Sequence, residues 1–233
     1  MDQKKELLHA IYGVYSSWVE RFPLACQKGC AACCTQSVTM TSLEGGEILD
    51  FIKIKGRKEW LIEKLAHVTS KKSNAIITTN QFAEACLKHE EVDIDNLGSW
   101  DFTPCIFLED NICLIYEVRP FGCRSFGSLV QCATDRGAEI APIHLAVNTV
   151  FTQAIEQMSS DGGNWSTMVD ILKSMVGDEG LNGKTHLLSA QPVPGFLLEP
   201  NEVQVVKVLL KQLYDQSSEM GICGDLIDNF MPI

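Results

Sequence analysis

Residues 26–34 read CQKGCAACC and place Cys26, Cys30, Cys33 and Cys34 at spacings of four, three and one. On a helix these positions would form a single stripe, and cysteine can pack there as a small hydrophobe. Two features argue against that reading. Ala25, Ala31 and Ala32 show that the chain uses alanine freely between the sulfurs, and alanine would fill a core stripe as well. Gly29 also weakens a regular helix. The spacing predicts a turn that wraps around an ion or a cluster.

Upstream, Leu8, Ile11, Tyr12, Tyr15, Trp18, Val19 and Phe22 repeat at helical intervals, so residues 4–22 predict an amphipathic helix that Pro23 interrupts. Downstream, Thr41-Ser42-Leu43-Glu44 is a capping-box pattern that should open a helix running to about Ile54. Gly56 breaks that run, and further helices are expected over 59–68 and 81–89. The character changes near Asn96. In CIFLEDNICLIYE, two apolar runs flank Glu109-Asp110-Asn111, which predicts a β-hairpin. RPFGCRSFGS then reads as a loop. Helices are expected over 144–158, 166–175 and 202–214, with an irregular stretch over 177–200. The expected fold is mainly α: one compact helical domain over 1–233 with a small β-hairpin and a cysteine-bound metal centre.

The hairpin carries Cys105 and Cys113, one on each arm, and the following loop carries Cys123 between Arg119 and Arg124. Thiolates repel one another, and gathering seven of them is costly unless a cation compensates. Zinc and iron–sulfur clusters favour sulfur ligands. Arg119 and Arg124 could donate hydrogen bonds to sulfur and offset its charge, or could be surface arginines beside a turn.

Cys26-x3-Cys30-x2-Cys33-Cys34, then Pro104-Cys105 with Phe107-Leu108, then Cys113-x-Ile115-Tyr116-Glu117-x-Arg119-Pro120-x-x-Cys123-Arg124, resembles the YkgJ-type cysteine-cluster family. That group is described as a zinc- or iron-chelating domain with a CxxCxxCC motif, and flagellin lysine N-methylase falls in the same broad group. The resemblance covers about residues 22–127. It implies a metal or iron–sulfur centre on Cys26, Cys30, Cys33, Cys34, Cys105, Cys113 and Cys123, and carries no substrate with it. The helical part over 133–233 lies outside the motif, so no methylase activity is transferred.

Seven cysteines exceed the four that one zinc ion or one [4Fe–4S] cluster takes. Neighbouring residues on a helix point roughly 100° apart, so Cys33 and Cys34 would not share one ion there. One of them is then structural, or the centre holds more than one metal. Crowded sulfur without paired histidines in either motif region favours iron–sulfur over zinc. Cys86, Cys132 and Cys223 read as core or surface thiols, and His144 as a capping or core histidine. Cys132 is the best placed of these for a further role, nine residues after Cys123.

The chain has 233 residues, 45 % of them hydrophobic and 21 % charged. Such a chain can bury a core without disulfides or metal. The net charge of −11 repels phosphate backbones and anionic lipid, so neither nucleic acid nor membrane is an expected partner. The basic residues from Lys53 to Lys72 read as a solvated helix face. MDQKKELLHA lacks the apolar stretch of a signal peptide. A cytoplasmic location is expected, where ten cysteines point to thiolate ligands or redox chemistry rather than disulfides.

Two functions compete. One is a metal-centre protein serving electron transfer, redox sensing or modification of an unidentified protein or small molecule. The other is a zinc-stabilised, non-catalytic interaction module. A third reading, radical S-adenosylmethionine chemistry on Cys26-x3-Cys30-x2-Cys33, is opposed by Ala32, where that superfamily usually has an aromatic. It is opposed too by the helix before the motif and the lack of alternating strands and helices. No phosphate loop, dinucleotide fingerprint or Ser-His-Asp order names a catalytic residue.

Overall fold

Helix α1 (Gln3–Val19) buries Leu7, Leu8, Ile11, Tyr12, Tyr15 and Trp18, as its apolar repeat requires. In the computed structural model, which describes residues 3–27, 29–68, 76–93, 102–132, 137–177 and 185–221, this face packs on two long helices near the C-terminus. They are α6 (Pro142–Ser159) and α8 (Pro200–Glu219), both begun by proline in the first turn. Phe151, Leu209, Leu210 and Leu213 close this first core. Each such side chain contributes about 1.5–3 kcal/mol when fully buried.

Helix α2 (Ser42–Ile54) starts where the capping box predicts, with Thr41 as its N-cap and Glu44 returning the bond. Helix α3 (Lys58–Ala66) follows after Gly56, whose φ of +63° ends the preceding run. Helix α4 (Thr79–Leu87) has a second capping box, Thr78 with Gln81. Helices α2 and α3 join α7 (Met168–Val176), Phe107 and Ile115 in a second core. Gly45 allows the close approach of α2 to α7: a Cβ there would lie 2.8 Å from both Ile171 Cγ2 and Met175 Sδ.

The structure adds a sheet that the sequence reading lacked. Strands β1 (Thr39–Thr41), β4 (Asn164–Thr167) and β5 (Leu188–Ser189) form an antiparallel sheet in the order β1-β4-β5. Met40 lies opposite Ser166, so the helix expected from Ser166 begins only at Met168. Thr167 caps it by accepting from Asp170 N. The hairpin is present but short: β2 (Leu108–Glu109) and β3 (Ile112–Cys113), joined by Asp110 and Asn111, both with positive φ. That pair of positive φ values is what a tight two-residue hairpin turn needs. The segment read as a loop after the hairpin contains a 3-10 turn (Tyr116–Val118) and a one-turn helix α5 (Phe121–Arg124).

Lys53, Lys55, Arg57 and Lys58 are exposed, as expected of a solvated face, whereas Lys71, Lys72 and Cys223 lie outside the described residues. Among the described residues no helix is long and apolar enough to cross a membrane. The cysteine-bearing segments lie between the two cores: Phe121 belongs to the first, Phe107 and Ile115 to the second.

Candidate metal centre

The described residues of the cysteine run form neither helix nor strand. Cys30 N donates to Gln27 O at 2.9 Å and Cys34 N to Ala31 O at 3.1 Å, which folds the run into successive turns. Gly29, with φ at +93°, supplies the left-handed residue inside the first of these turns. Because the run is not helical, the divergence expected of Cys33 and Cys34 does not hold: their side chains hydrogen-bond each other.

Each end of the run is tied to a different part of the chain. At the far end, Cys105 N donates to Cys34 O at 2.9 Å and Gln36 N to Thr103 O at 3.0 Å, with a bridge between Thr35 and Pro104. At the near end, Ala25 N donates to Ser128 O at 2.8 Å, and Ser128 N donates back to Cys26 Sγ at 3.2 Å. Cys105 itself sits in the turn before β2, where its carbonyl accepts from Leu108 N, rather than on the hairpin arm. Cys113 stands in β3 opposite Leu108. Cys123 lies in α5, with its N–H bonded to Pro120 O.

These ties bring all seven cysteines named from the sequence to one cavity of about 250 Å³, with Arg119 and Arg124 on its wall. Cys26 and Cys30 are exposed at its edge; the other five are half-buried. Phe107, Ile115 and Met168 make its inner side apolar. Among the described residues the lining contains no histidine and no carboxylate.

An apolar wall disfavours thiolate charge. Burial pushes the Cys105 thiol up to about 11, with nearby Cys113 adding to the effect. Burial, with Cys105 and Cys113 close by, raises Cys123 well above the ordinary thiol range. Cys33 is raised chiefly because it donates to Cys34, and the same bond holds Cys34 low. The positive charge of Arg119 acts the other way on Cys113 and Cys123, favouring their thiolates.

Arg119 Nη1 donates to Tyr116 O at 2.7 Å, and its guanidinium lies 3.7 Å from the Tyr116 ring centroid. Arg124 donates to Arg119 O at 2.8 Å and to Glu117 O at 2.7 Å, and stacks 4.2 Å from the Tyr12 centroid. Those bonds shape the turn that presents Cys123. The cavity's second support is Glu44, which is buried. Its carboxylate accepts from Phe121 N at 2.7 Å, Tyr12 OH at 2.9 Å and Thr41 N at 2.9 Å. Sequence reasoning marked Glu44 as the start of a helix; its reach of 77 residues to Phe121 has no local signature.

Cys86 lies in α4, away from the cavity lining. His144 is fully buried beside Tyr15, Trp18 and Phe22, with Nε2 2.8 Å from Tyr15 OH, as a core histidine would be. Cys132 is half-buried and is not on the cavity lining.

Among the described residues no three His, Cys, Asp or Glu side chains stand in the array of ligands around a single ion. The seven sulfurs enclose a space rather than a point. Their chemistry nonetheless fits a thiophilic centre: seven cysteine sulfurs, no histidine or carboxylate among the described lining residues, and the Arg119 guanidinium nearby to offset excess negative charge. The family model CxxCxxCC, described as "Putative zinc- or iron-chelating domain", matches residues 25–140. Neither the curated proteins nor the solved structures contain a match to this chain.

Proposed function

We propose that this chain, which belongs to the CxxCxxCC family through residues 25–140, holds an iron–sulfur centre on the cysteines of its central cavity and serves redox chemistry there. The observation that carries this reading is the lining itself: seven cysteine sulfurs from three separate segments and, among the described residues, no histidine or carboxylate. Thiolates with inorganic sulfide are the donor set of iron–sulfur clusters. A centre of several atoms also suits sulfurs that surround a cavity of about 250 Å³ better than one ion with its sulfurs about 2.3 Å away.

When bound, such a centre supplies reversible one-electron transfer. The chain's own residues do the rest. Cys26, Cys30, Cys33 and Cys34 would hold it from the run, Cys105 and Cys113 from the hairpin side, and Cys123 from α5. Phe107, Ile115 and Met168 keep the inner wall dry, which raises the energetic cost of added charge. Arg119 opposes that cost on the side of Cys113 and Cys123. The exposed Cys26 and Cys30 leave one side within reach of a protein or small-molecule redox partner.

The competing zinc reading draws on the ties at both ends of the run, since a structural ion would lock the same segments together. The two are separated by chemical analysis of protein purified without oxygen. Iron with acid-labile sulfide and broad visible absorption is the expected result. Stoichiometric zinc in a colourless solution would replace this reading with the structural one.

A further inference from the structure

We propose that the connection between α2 and α3 is a docking tip for an anionic lipid bilayer, with Ile54 entering the headgroup layer and Lys53, Lys55 and Arg57 pairing with lipid phosphates and carboxylates around it. The inference goes beyond the metal-centre reading and does not depend on it.

Composition sets this stretch apart. Residues 53–58 read KIKGRK, four cations and no carboxylate, in a chain with 19 basic and 30 acidic residues. All four cations are exposed. Among the described residues, Lys53, Lys55 and Arg57 take part in no ion pair. In their midst Ile54 is 82 % exposed, more than any other large apolar side chain among the described residues.

The backbone holds the tip in shape. Gly56 N donates to Lys53 O and Arg57 N to Ile52 O, both at 3.0 Å, around the positive φ of Gly56. Those paired bonds make a Schellman cap. Arg57 occupies the place after the glycine where an apolar residue commonly packs back onto the helix. Ile52 is buried in the second core, and Ile54, two residues on, points away from it. The side chains are steered as well. The Lys55 ammonium lies 5.2 Å from the Phe51 ring centroid, and Arg57 and Lys64 lie 5.9 and 5.7 Å from that of Trp60. A half-buried Trp60 with long cations beside it suits the boundary between headgroups and acyl chains. A tip fixed in this way loses little entropy on docking.

The net charge of −11 opposes adhesion of the chain as a whole. Screening makes the contest local, because exposed charges act over about 8 Å at physiological ionic strength. Of the neighbouring carboxylates, Asp50 is taken by Lys5, and Glu59 and Glu63 follow on α3. An acidic protein segment would also answer the cations. A stable protein interface buries roughly 800 Å² per partner, however, which is more than a six-residue tip offers, whereas a bilayer needs the tip alone. Ile54 stands about 15 Å along α2 from Glu44, the residue that supports the cavity, so changes at the tip leave the cysteine site alone.

The test is co-sedimentation of the 233-residue chain with vesicles of phosphatidylcholine and with vesicles containing about one-third phosphatidylserine. The chain should bind the second and not the first, and added salt should release it. Lys55→Gln and Arg57→Gln should each weaken binding about fivefold, and Ile54→Ser should weaken it too. Lys207→Gln, at an exposed position of α8, should change nothing. Absence of binding, equal binding to both vesicles, or an equal loss in Lys207→Gln would overturn the proposal, as would full binding by Ile54→Ser. Capture of poly-glutamate but not of vesicles would assign the tip to an acidic protein segment and overturn it as well. Circular dichroism checks that each variant is folded. Should one not fold, phosphatidylserine vesicles with brominated acyl chains decide, since Trp60 is the one described tryptophan that is not buried. They should quench tryptophan emission of the unaltered chain, and undiminished emission would refute the docking.

Discussion

Replacing Glu44 by alanine should loosen the cavity from a distance. The buried carboxylate takes hydrogen bonds from Phe121 N, Tyr12 OH and Thr41 N. Without it, the first two donors are left inside the protein, because Phe121 is 2 % exposed and Tyr12 is 9 % exposed. Each orphaned buried donor costs about 1–3 kcal/mol, which gives about 2–6 kcal/mol for the pair. Thr41 N is buried as well, Thr41 being 2 % exposed, and its orphaning adds to that figure. Against a typical stability of about 5–15 kcal/mol, the loss is large but need not unfold the chain. Urea unfolding of the metal-free protein followed by circular dichroism would measure it. Tyr12→Phe removes one stranded donor, so adding it to Glu44→Ala should be milder than the sum of the single changes by about 1–3 kcal/mol. A loss below about 1 kcal/mol for Glu44→Ala, or strict additivity of the pair, would refute the assignment of Glu44 as the link between α2 and α5.

Other outcomes follow from the same geometry. Cys30→Ser and Cys123→Ser should each sharply lower the metal content of purified protein while Cys86→Ser does not; equal losses in all three would mean that folding, not ligation, is being measured. Raised thiol values in the folded chain, such as Cys105 at about 11 against an ordinary 9.0, mean that it binds more protons than the unfolded chain over that interval. Metal-free protein should therefore lose stability as pH rises from 9 toward 11. Metal binding at neutral pH should release protons and strengthen as pH rises, seen by calorimetry in buffers of different ionisation heat; pH-independent binding would contradict thiol ligation. Gly45→Ala should destabilise by about 1–3 kcal/mol through overpacking, less up to about 1 kcal/mol of gained helix propensity. An increase in melting temperature would show that α2 can move away from α7.

The frame was readable because long helices announce themselves. Residues 4–22 carry an uninterrupted apolar stripe, and the box at Thr41 and Glu44 fixes the start of α2 to the residue. The wrapped turn at Cys26 to Cys34 was legible for a chemical reason: sulfur concentrated beyond any packing need, with Gly29 to break the helix. Short elements carried no such signal. Strands β1, β4 and β5 have three, four and two residues, too few to establish an alternating pattern. Ser166 and Thr167 therefore merged with the helical periodicity of α7. The turn of α5 was hidden by Pro120 and Gly122, residues that ordinarily mark loops. The tie of Cys26 to the backbone of Ser128, 102 residues away, has no signature that spacing could show. The roles of Arg119 and Arg124 were visible only as charge near sulfur; their bonds to Tyr116, Arg119 and Glu117 carbonyls depend on the closed form of the turn.

X-ray absorption at the metal edge, on protein purified without oxygen, addresses the shared sulfur centre most directly. A first shell of sulfur alone at about 2.3 Å, with a metal–metal distance behind it, is the result expected at the iron edge. A shell dominated by nitrogen or oxygen would contradict a centre built by these cysteines.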